Sequence, residues 1–491
     1  MNEKLLLFPI LIPIFSALLI SSINFNDNKT ARNIFIECLI LFNTFIIFLL
    51  VMYPPANTLT LFRFSEKAAF ALRLDGLGTV FAVLIATLWP LTALYAFEYM
   101  NHEHRQTSFF GWFTATYGIV AGIALSSDLL TLYLFYELMT LTTLPLVMHE
   151  MDGRGRYAGR KYLTYSVGGA ACAFIALTYT MSLGGGEVFK FGGTLTIEPE
   201  NVNNILLLAW LLGFLGFGVK AAIFPFHAWL PSASVAPTPV TALLHAVAVV
   251  KAGIFAIIRL TWYVFNPQTL SGTWAQYFAF ALACATVIYG SSMALRTQHL
   301  KRRFAYSTIS QLSYILIGVL LLTPEGLVGG LTHMVGHAIM KINLFFCAGA
   351  ILCQTEREYL FDMRGIGLGM PKTSFALLIS GLALCGLPPS AGFMGKWELG
   401  TACAANYPLG HVGVAVIAIS ALLTVLYIFS IFSIFIMPGK NFDFKTANKD
   451  VKDPGCEMLI PLGILAAGAF IYGLYSEYFI EFFTKISKGI I

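Results

Sequence analysis

Apolar runs of about 20 residues recur from the start of this chain to its end, each long enough to cross a ~30 Å hydrocarbon core as a helix. Of 491 residues, 57% are apolar and 11% charged, under half the ~25% charged fraction of a soluble domain. The chain therefore reads as an all-α polytopic membrane protein, and no stretch is long and polar enough to be a separate globular domain. The net charge of +5, from 30 Lys and Arg against 25 Asp and Glu, reports loop topology and not nucleic-acid binding, which is set aside.

Eight cysteines (Cys38, Cys172, Cys284, Cys347, Cys353, Cys385, Cys403 and Cys456) are scattered, mostly inside apolar runs, and form no CxxC pair. They read as neither a disulfide framework nor a metal site. The opening MNEKLLLFPILIPIFSALLISS has no small-residue cleavage site and reads as a first span, not a removed signal.

A window of about 19 residues gives fourteen spans, near 4–23, 31–52, 76–97, 109–126, 128–149, 161–183, 204–230, 237–261, 275–294, 305–322, 327–353, 373–400, 409–437 and 457–475. Loops after odd-numbered spans carry eighteen Lys and Arg and the opposite side seven. By the positive-inside rule the richer side is cytoplasmic, and an even number of spans puts both termini outside. The expected location is the inner, cytoplasmic membrane.

Five cations fall inside spans: Lys220, Lys251, Arg259, Lys341 and Lys396. Arg259 lies near the end of its span, where a long side chain can snorkel to the interface. Each of the four lysines costs roughly 2.5 to 3.5 kcal/mol at a helix centre, and Glu137 in LYLFYELMTL adds a similar penalty. Together they point to an ion or proton path.

Spacing supports a line of groups. His333, His337 and Lys341 recur every fourth position and share one helical face, and His245 and Lys251 stand six residues apart on another span. Lys220 lies about one turn before Pro225, and Lys396 two turns after Pro388 and Pro389, with Gly392 and Gly395 between. A broken helix frees backbone groups and leaves room for water, so a buried ammonium can be hydrated and can release its proton. The two charge-bearing breaks, 176 residues apart, suggest two half-channels of about five helices each. Glu137, the acid in mid-span in the N-terminal half, pairs with Lys220 in this reading. Glu398 is two residues from Lys396 and off its helical face, and Asp75 and Asp128 read as helix N-caps.

The strings DGLGTVFAVLIATLWPLTALYAFEYM, FYELMTL, GVKAAIFPFHAWLPSA, PTPVTALLHAVAVVKAGIFAIIRL, LKRRFAYSTISQLSYI, HMVGHAIMKINLFF and GLPPSAGFMGKWEL resemble, in this order, the antiporter-like proton-translocating subunits. That family is shared by respiratory complex I, multisubunit Mrp sodium/proton antiporters and membrane-bound hydrogenases. The resemblance is strongest from about residue 75 to 400, and the chain is similar to the fourteen-helix, Mrp D-like type. It implies inverted five-helix repeats at 109–262 and 275–437, N-terminal helices at 1–108, a loop and helix at 438–491, and discontinuous helices around Lys220 and Lys396. It further implies a proton relay of Glu137 with Lys220, then Lys251, then Lys396 as the exit residue, a position that varies between Lys and Glu in the family. His245, His333, His337 and Lys341 fall on the helices of the family's central hydrophilic axis.

The chain carries no P-loop, no dinucleotide-binding glycine motif and no cysteine cluster. It is therefore expected to hold no cofactor or metal and to perform no catalytic chemistry of its own, although it could serve within an ion-translocating oxidoreductase. Energy must come from partner membrane subunits or an ion gradient. Three readings stay open: an Mrp-like subunit exchanging protons for a cation such as Na+, a pump subunit driven by a redox arm, and a membrane subunit for inorganic-carbon uptake.

Overall fold

The computed structural model describes residues 2–23, 28–65, 68–195, 202–437 and 451–491. Of the loop cations counted above, Lys67, Lys440, Lys445 and Lys449 lie outside these residues. Hydrocarbon offers no water to unpaired backbone groups, so an apolar run satisfies itself as a helix. Each of the fourteen runs is helical: α1 (Phe8–Ser22), α2 (Lys29–Met52), α3 (Gly76–Tyr99), α4 (Gln106–Ala124), α5 (Leu129–Val147) and α6 (Gly153–Ser182) come first. The first broken segment follows as α7 (Asn204–Lys220) and α8 (Trp229–Ser232), the next as α9 (Thr238–Ala246) and α10 (Val249–Ile258), and a short α11 (Pro267–Leu270) leads on. Then come α12 (Trp274–Arg296), α13 (Leu300–Leu320), α14 (Pro324–Thr355), α15 (Pro371–Cys385), α16 (Ala391–Ala404), α17 (Leu409–Ile436), α18 (Cys456–Leu474) and α19 (Ser476–Ser487). Among the described residues, ten helical segments are long and apolar enough to cross a membrane.

Capping follows side-chain chemistry. Asp75 accepts the Gly78 N–H at 2.8 Å and Asp128 the Thr131 N–H at 2.8 Å, each taking up an orphan donor of a first helical turn, as expected. Asp152 does the same for Gly155 at the start of α6.

The breaks have visible causes. Pro225 lacks an N–H, and its ring would clash with the carbonyl four residues back, so α7 stops at Lys220 and Ala222 turns left-handed at φ +56°. The Val219 carbonyl freed there accepts from the Trp229 indole at 2.7 Å. In the second half Gly386, at φ +92°, ends α15, and Pro388 and Pro389 keep the chain from resuming a helix before α16. A third interruption lies at Val247 and Ala248, where the sequence suggests one continuous span. There the Ala248 amide joins the Val247 amide on the Leu243 carbonyl (2.8 and 3.0 Å), so His245 lies in the last turn of one helix and Lys251 in the first turn of the next.

Residues 53–75, which lie between the second and third spans, contain an antiparallel hairpin of β1 (Leu59–Ser65) and β2 (Ala68–Leu72), with Leu59 opposite Leu72 and Thr60 opposite Ala71. The centre of the bundle is the segment Thr238–Val264, wholly buried, against a largely buried α14. α2 and α17 bury only a third of their apolar windows and present Leu, Ile and Phe outward. Connections sort onto two faces. On one, the Lys29 ammonium reaches Asn101 at 3.5 Å, His149 reaches the His104 carbonyl at 2.8 Å, and the Leu300 N–H donates to Glu358 O at 3.0 Å. On the other, Arg73 N donates to Leu125 O at 2.8 Å, Phe189 N to Ser127 O at 2.7 Å and Gly192 N to Trp262 O at 3.0 Å.

Candidate functional site

The first break places Lys220 at the last turn of α7, almost fully buried and 3.8 Å from the Glu137 carboxylate in the middle of α5. Tyr136 helps to hold it: the ammonium lies 3.4 Å from that ring's centre and also donates to the Tyr136 carbonyl. α10 comes close enough that a side chain at Gly253 would strike the Lys220 backbone at 3.0 Å, so only glycine lets Lys251 be carried this near the break.

In the wholly buried centre, the Lys251 ammonium meets His337 Nδ1 at 2.5 Å. The other ring nitrogen of His337, Nε2, is buried and has no hydrogen-bond partner. One turn on, Lys341 donates to the Ser307 hydroxyl at 2.7 Å, which lies 2.6 Å from the Tyr427 hydroxyl. One turn before, His333 Nε2 meets Gln311 at 3.0 Å, and its ring lies 6.1 Å from that of His337. The every-fourth-residue face of α14 thus points at α10 and α13. His245 is also fully buried; it packs on Phe345 at 4.7 Å and neither ring nitrogen has a partner.

The second break is built differently. α16 carries Lys396, whose ammonium reaches back to the end of α15 and donates to the carbonyls of Leu384 (2.7 Å) and Cys385 (2.9 Å). These are orphan carbonyls at the negative end of a helix, a favourable seat for a cation. Glu398 is not its partner. Gly395 lets α16 approach α14, since a side chain there would meet His333 Nδ1 at 2.7 Å.

Arg259 departs from its expected place. It does not snorkel: it is completely buried, and its guanidinium grips both oxygens of Asp75 at 2.5 and 2.6 Å, with Phe189, Phe255 and Tyr263 around it. Asp75 therefore both caps α3 and neutralises Arg259. Ser307, Gln311, Tyr427 and Tyr136 join the site without being expected there; the polar run YSTISQLSY of α13 is the available signal for the first two.

The described residues contain no group of three or more His, Cys, Asp or Glu side chains placed to hold a metal ion, and all eight cysteines are free. What the arrangement offers is a set of buried titratable groups between two broken helices, of which Glu137 and Lys220, and Lys251 and His337, are in direct contact.

Residues 126–424 match the membrane-spanning family described as NADH:quinone oxidoreductase/Mrp antiporter, and residues 64–110 match the N-terminal family of complex I chain 5. A protein of Rhizobium meliloti described as a probable K(+)/H(+) antiporter subunit is 34% identical over 333 residues, 67% of this chain and 32% of that protein. NADH-quinone oxidoreductase subunit N of Desulforudis audaxviator is 31% identical over 427 residues, 83% of this chain and 82% of that one. This chain spans a third to a half of the longer curated relatives it matches. A chain in the structure of the Mrp complex from Dietzia sp. DQ12-45-1b superposes with a TM-score of 0.83 at 19% identity, covering 99% of this chain and 97% of that chain, which is likeness of fold.

Proposed function

The chain belongs to the NADH:quinone oxidoreductase/Mrp antiporter family of membrane subunits, and from that premise we propose that it is a proton-translocating, antiporter-like subunit of a larger membrane assembly. Protons pass from Glu137 and Lys220 through Lys251 and His337, with His245, His333 and Lys341 alongside, to Lys396. The observation that carries this reading is the buried lysine set: Lys220, Lys251 and Lys341 are at most 1% exposed, yet among the described residues one carboxylate, that of Glu137, forms an ion pair with any of them. Permanent charges held that deep without counter-ions are strongly unfavourable. Lysines that trade protons with hydroxyl, imidazole and carboxylate neighbours escape that cost in turn.

Fourteen crossings arranged as two inverted five-helix repeats, 109–262 and 275–437, fit the helical runs and the two proline-bearing breaks. Residues 1–108 and 438–491 flank the repeats. The cation-rich face is cytoplasmic and both termini lie outside. Partner membrane subunits fit the lateral surface, because Glu137 is 29% exposed and Lys396 half-buried, and an ionisable group in a span is otherwise left to lipid.

The preferred assembly is an Mrp-like cation/proton antiporter, with this chain in the place of a D-like subunit; the similarity to the Rhizobium meliloti antiporter protein favours it. The match to NADH-quinone oxidoreductase subunit N over 83% of this chain and 82% of that one favours a redox-driven assembly. Proton movement through this chain is common to both. The test is flux into vesicles containing the native complex: Lys220→Ala and Lys220→Arg should both abolish coupled proton uptake while assembly persists, since arginine holds its proton. Normal transport by the arginine variant would refute the switching role of Lys220. Co-purifying subunits and their iron and flavin content then separate the two assemblies.

A further inference from the structure

Away from these groups, a cavity of about 540 Å³ opens between the start of α6, the chain following the first break, and the facing parts of α12 and α13. Its size lies within the ~300–1,000 Å³ of small-molecule sites. Arg154, Lys161 and Arg302 line it and no carboxylate does. Glu150 and Glu358 act on Arg154 only from a distance, and the Asp152 carboxylate at the same helix start is taken by the Gly155 N–H. The wall is aromatic: Tyr289 packs edge-on against His227 at 4.6 Å and lies 6.5 Å from Tyr306. His227 is 6% exposed, lines the cavity, and has a buried Nδ1 with no hydrogen-bond partner. Three cations without a carboxylate in the lining, around an imidazole with an unsatisfied nitrogen, therefore surround a cavity open on the cation-rich face.

We propose that this cavity binds a phosphate-bearing anion, and that in the membrane the anion is the headgroup of an anionic phospholipid. Guanidinium groups suit phosphate oxygens because they donate in a planar fork, and basic pockets between helices on the cytoplasmic side are suited to anionic headgroups. The exposed Arg154 and Arg302 close the site from the water side, and His227 supplies a donor or acceptor at its base. His227 lies seven residues beyond Lys220, so a bound headgroup would brace the chain leaving the first break. The site does not depend on the proton path being correct.

The experiment uses the full chain, stripped of lipid and reconstituted in nanodiscs of phosphatidylcholine alone or with phosphatidylglycerol, then examined by native mass spectrometry and thermal unfolding. The wild type should retain tightly bound phosphatidylglycerol and melt higher in its presence. Arg154→Gln/Lys161→Gln/Arg302→Gln should lose that retention by at least about tenfold, while Arg156→Gln/Arg160→Gln/Lys372→Gln, which removes the same charge elsewhere on that face, should keep it. If the triple variant does not fold, Arg302→Gln alone carries the test, because that side chain is exposed. Protection by inorganic phosphate equal to that by the lipid would leave the anion site standing and make free phosphate the ligand. Equal lipid retention by the cavity variant and the control variant overturns the proposal.

Discussion

The two proline-bearing breaks hold lysines in opposite ways. At the first, Lys220 is sunk in the core and its counter-charge is a side chain, Glu137, 3.8 Å away and 29% exposed. At the second, Lys396 is half-buried and sits on two main-chain carbonyls. A carboxylate on rotatable bonds can approach or withdraw and so change whether its lysine keeps a proton. Carbonyls fixed at a helix end cannot, so Lys396 can change its surroundings only by moving its own side chain. The first break thus gives its lysine a movable counter-charge near the chain's surface, and the second a fixed one.

The largest effect should come from removing either lysine. Lys220→Gln and Lys396→Gln should each bring proton flux in vesicles down to that of protein-free controls while the complex still assembles, and retained flux in either would remove that break from the path. The next effect separates the breaks. Glu137→Gln should slow flux about tenfold, equivalent to ~1.4 kcal/mol on the limiting step, whereas Glu398→Gln should leave it within about twofold because the carbonyls, not Glu398, hold Lys396. Equal losses in the two glutamine variants would erase the distinction between a side-chain and a main-chain counter-charge.

What could be read from the residues depended on punctuation. Pro225, Pro388 and Pro389 stand at their breaks, whereas Pro13, Pro90, Pro145 and Pro461 lie inside continuous helices. Proline therefore points to a break here only beside a lysine, and lysines in apolar helices are conspicuous because hydrocarbon makes them expensive. The break at Val247 and Ala248 has no proline or glycine; two amides share the Leu243 carbonyl there, and no local signature announces it. Arg259 looked like a snorkelling side chain because its partner, Asp75, lies 184 residues away. The roles of Ser307 and Tyr427 were hidden for another reason. Hydroxyls in buried helices commonly bond back to their own carbonyls, as Thr308 does to Phe304 at 2.9 Å, so nothing marks the ones that reach across to another helix. The hairpin escaped because β1 is almost wholly exposed, with burial alternating on neither face.

Asp75 and Arg259 give a control for the comparison, a buried pair gripped at two points where the start of α3 meets the end of α10. Asp75→Asn should destabilise the folded chain by about 3–5 kcal/mol, because it leaves a buried guanidinium uncompensated, while flux per folded molecule stays at the wild-type level. Thermal unfolding in detergent reports the first quantity and vesicle flux, normalised to folded protein, the second. Flux lost without loss of fold would extend the path to this pair and make it a third member of the comparison.

The smallest effect belongs to an ion pair in the loops of the cation-rich face. His299 lies 3.5 Å from Glu358, and that hydrogen bond is the chief reason the Glu358 carboxyl is held below its usual value. A depressed carboxyl contributes stability above its unfolded value, ~4.3 for glutamate, and the contribution disappears as pH falls through the folded value. Glu358 is 36% exposed, so solvent screens the pair and His299→Ala should cost well under ~1 kcal/mol at neutral pH. The main-chain bonds from Leu300 to Glu358 and from Leu360 to Gln298, each 3.0 Å, hold the two loops together without it. The melting curves of variant and wild type should therefore differ slightly at pH 7 and converge by pH 3. A large difference at neutral pH, or one that widens on acidification, would mean that a surface pair carries weight the breaks were supposed to monopolise.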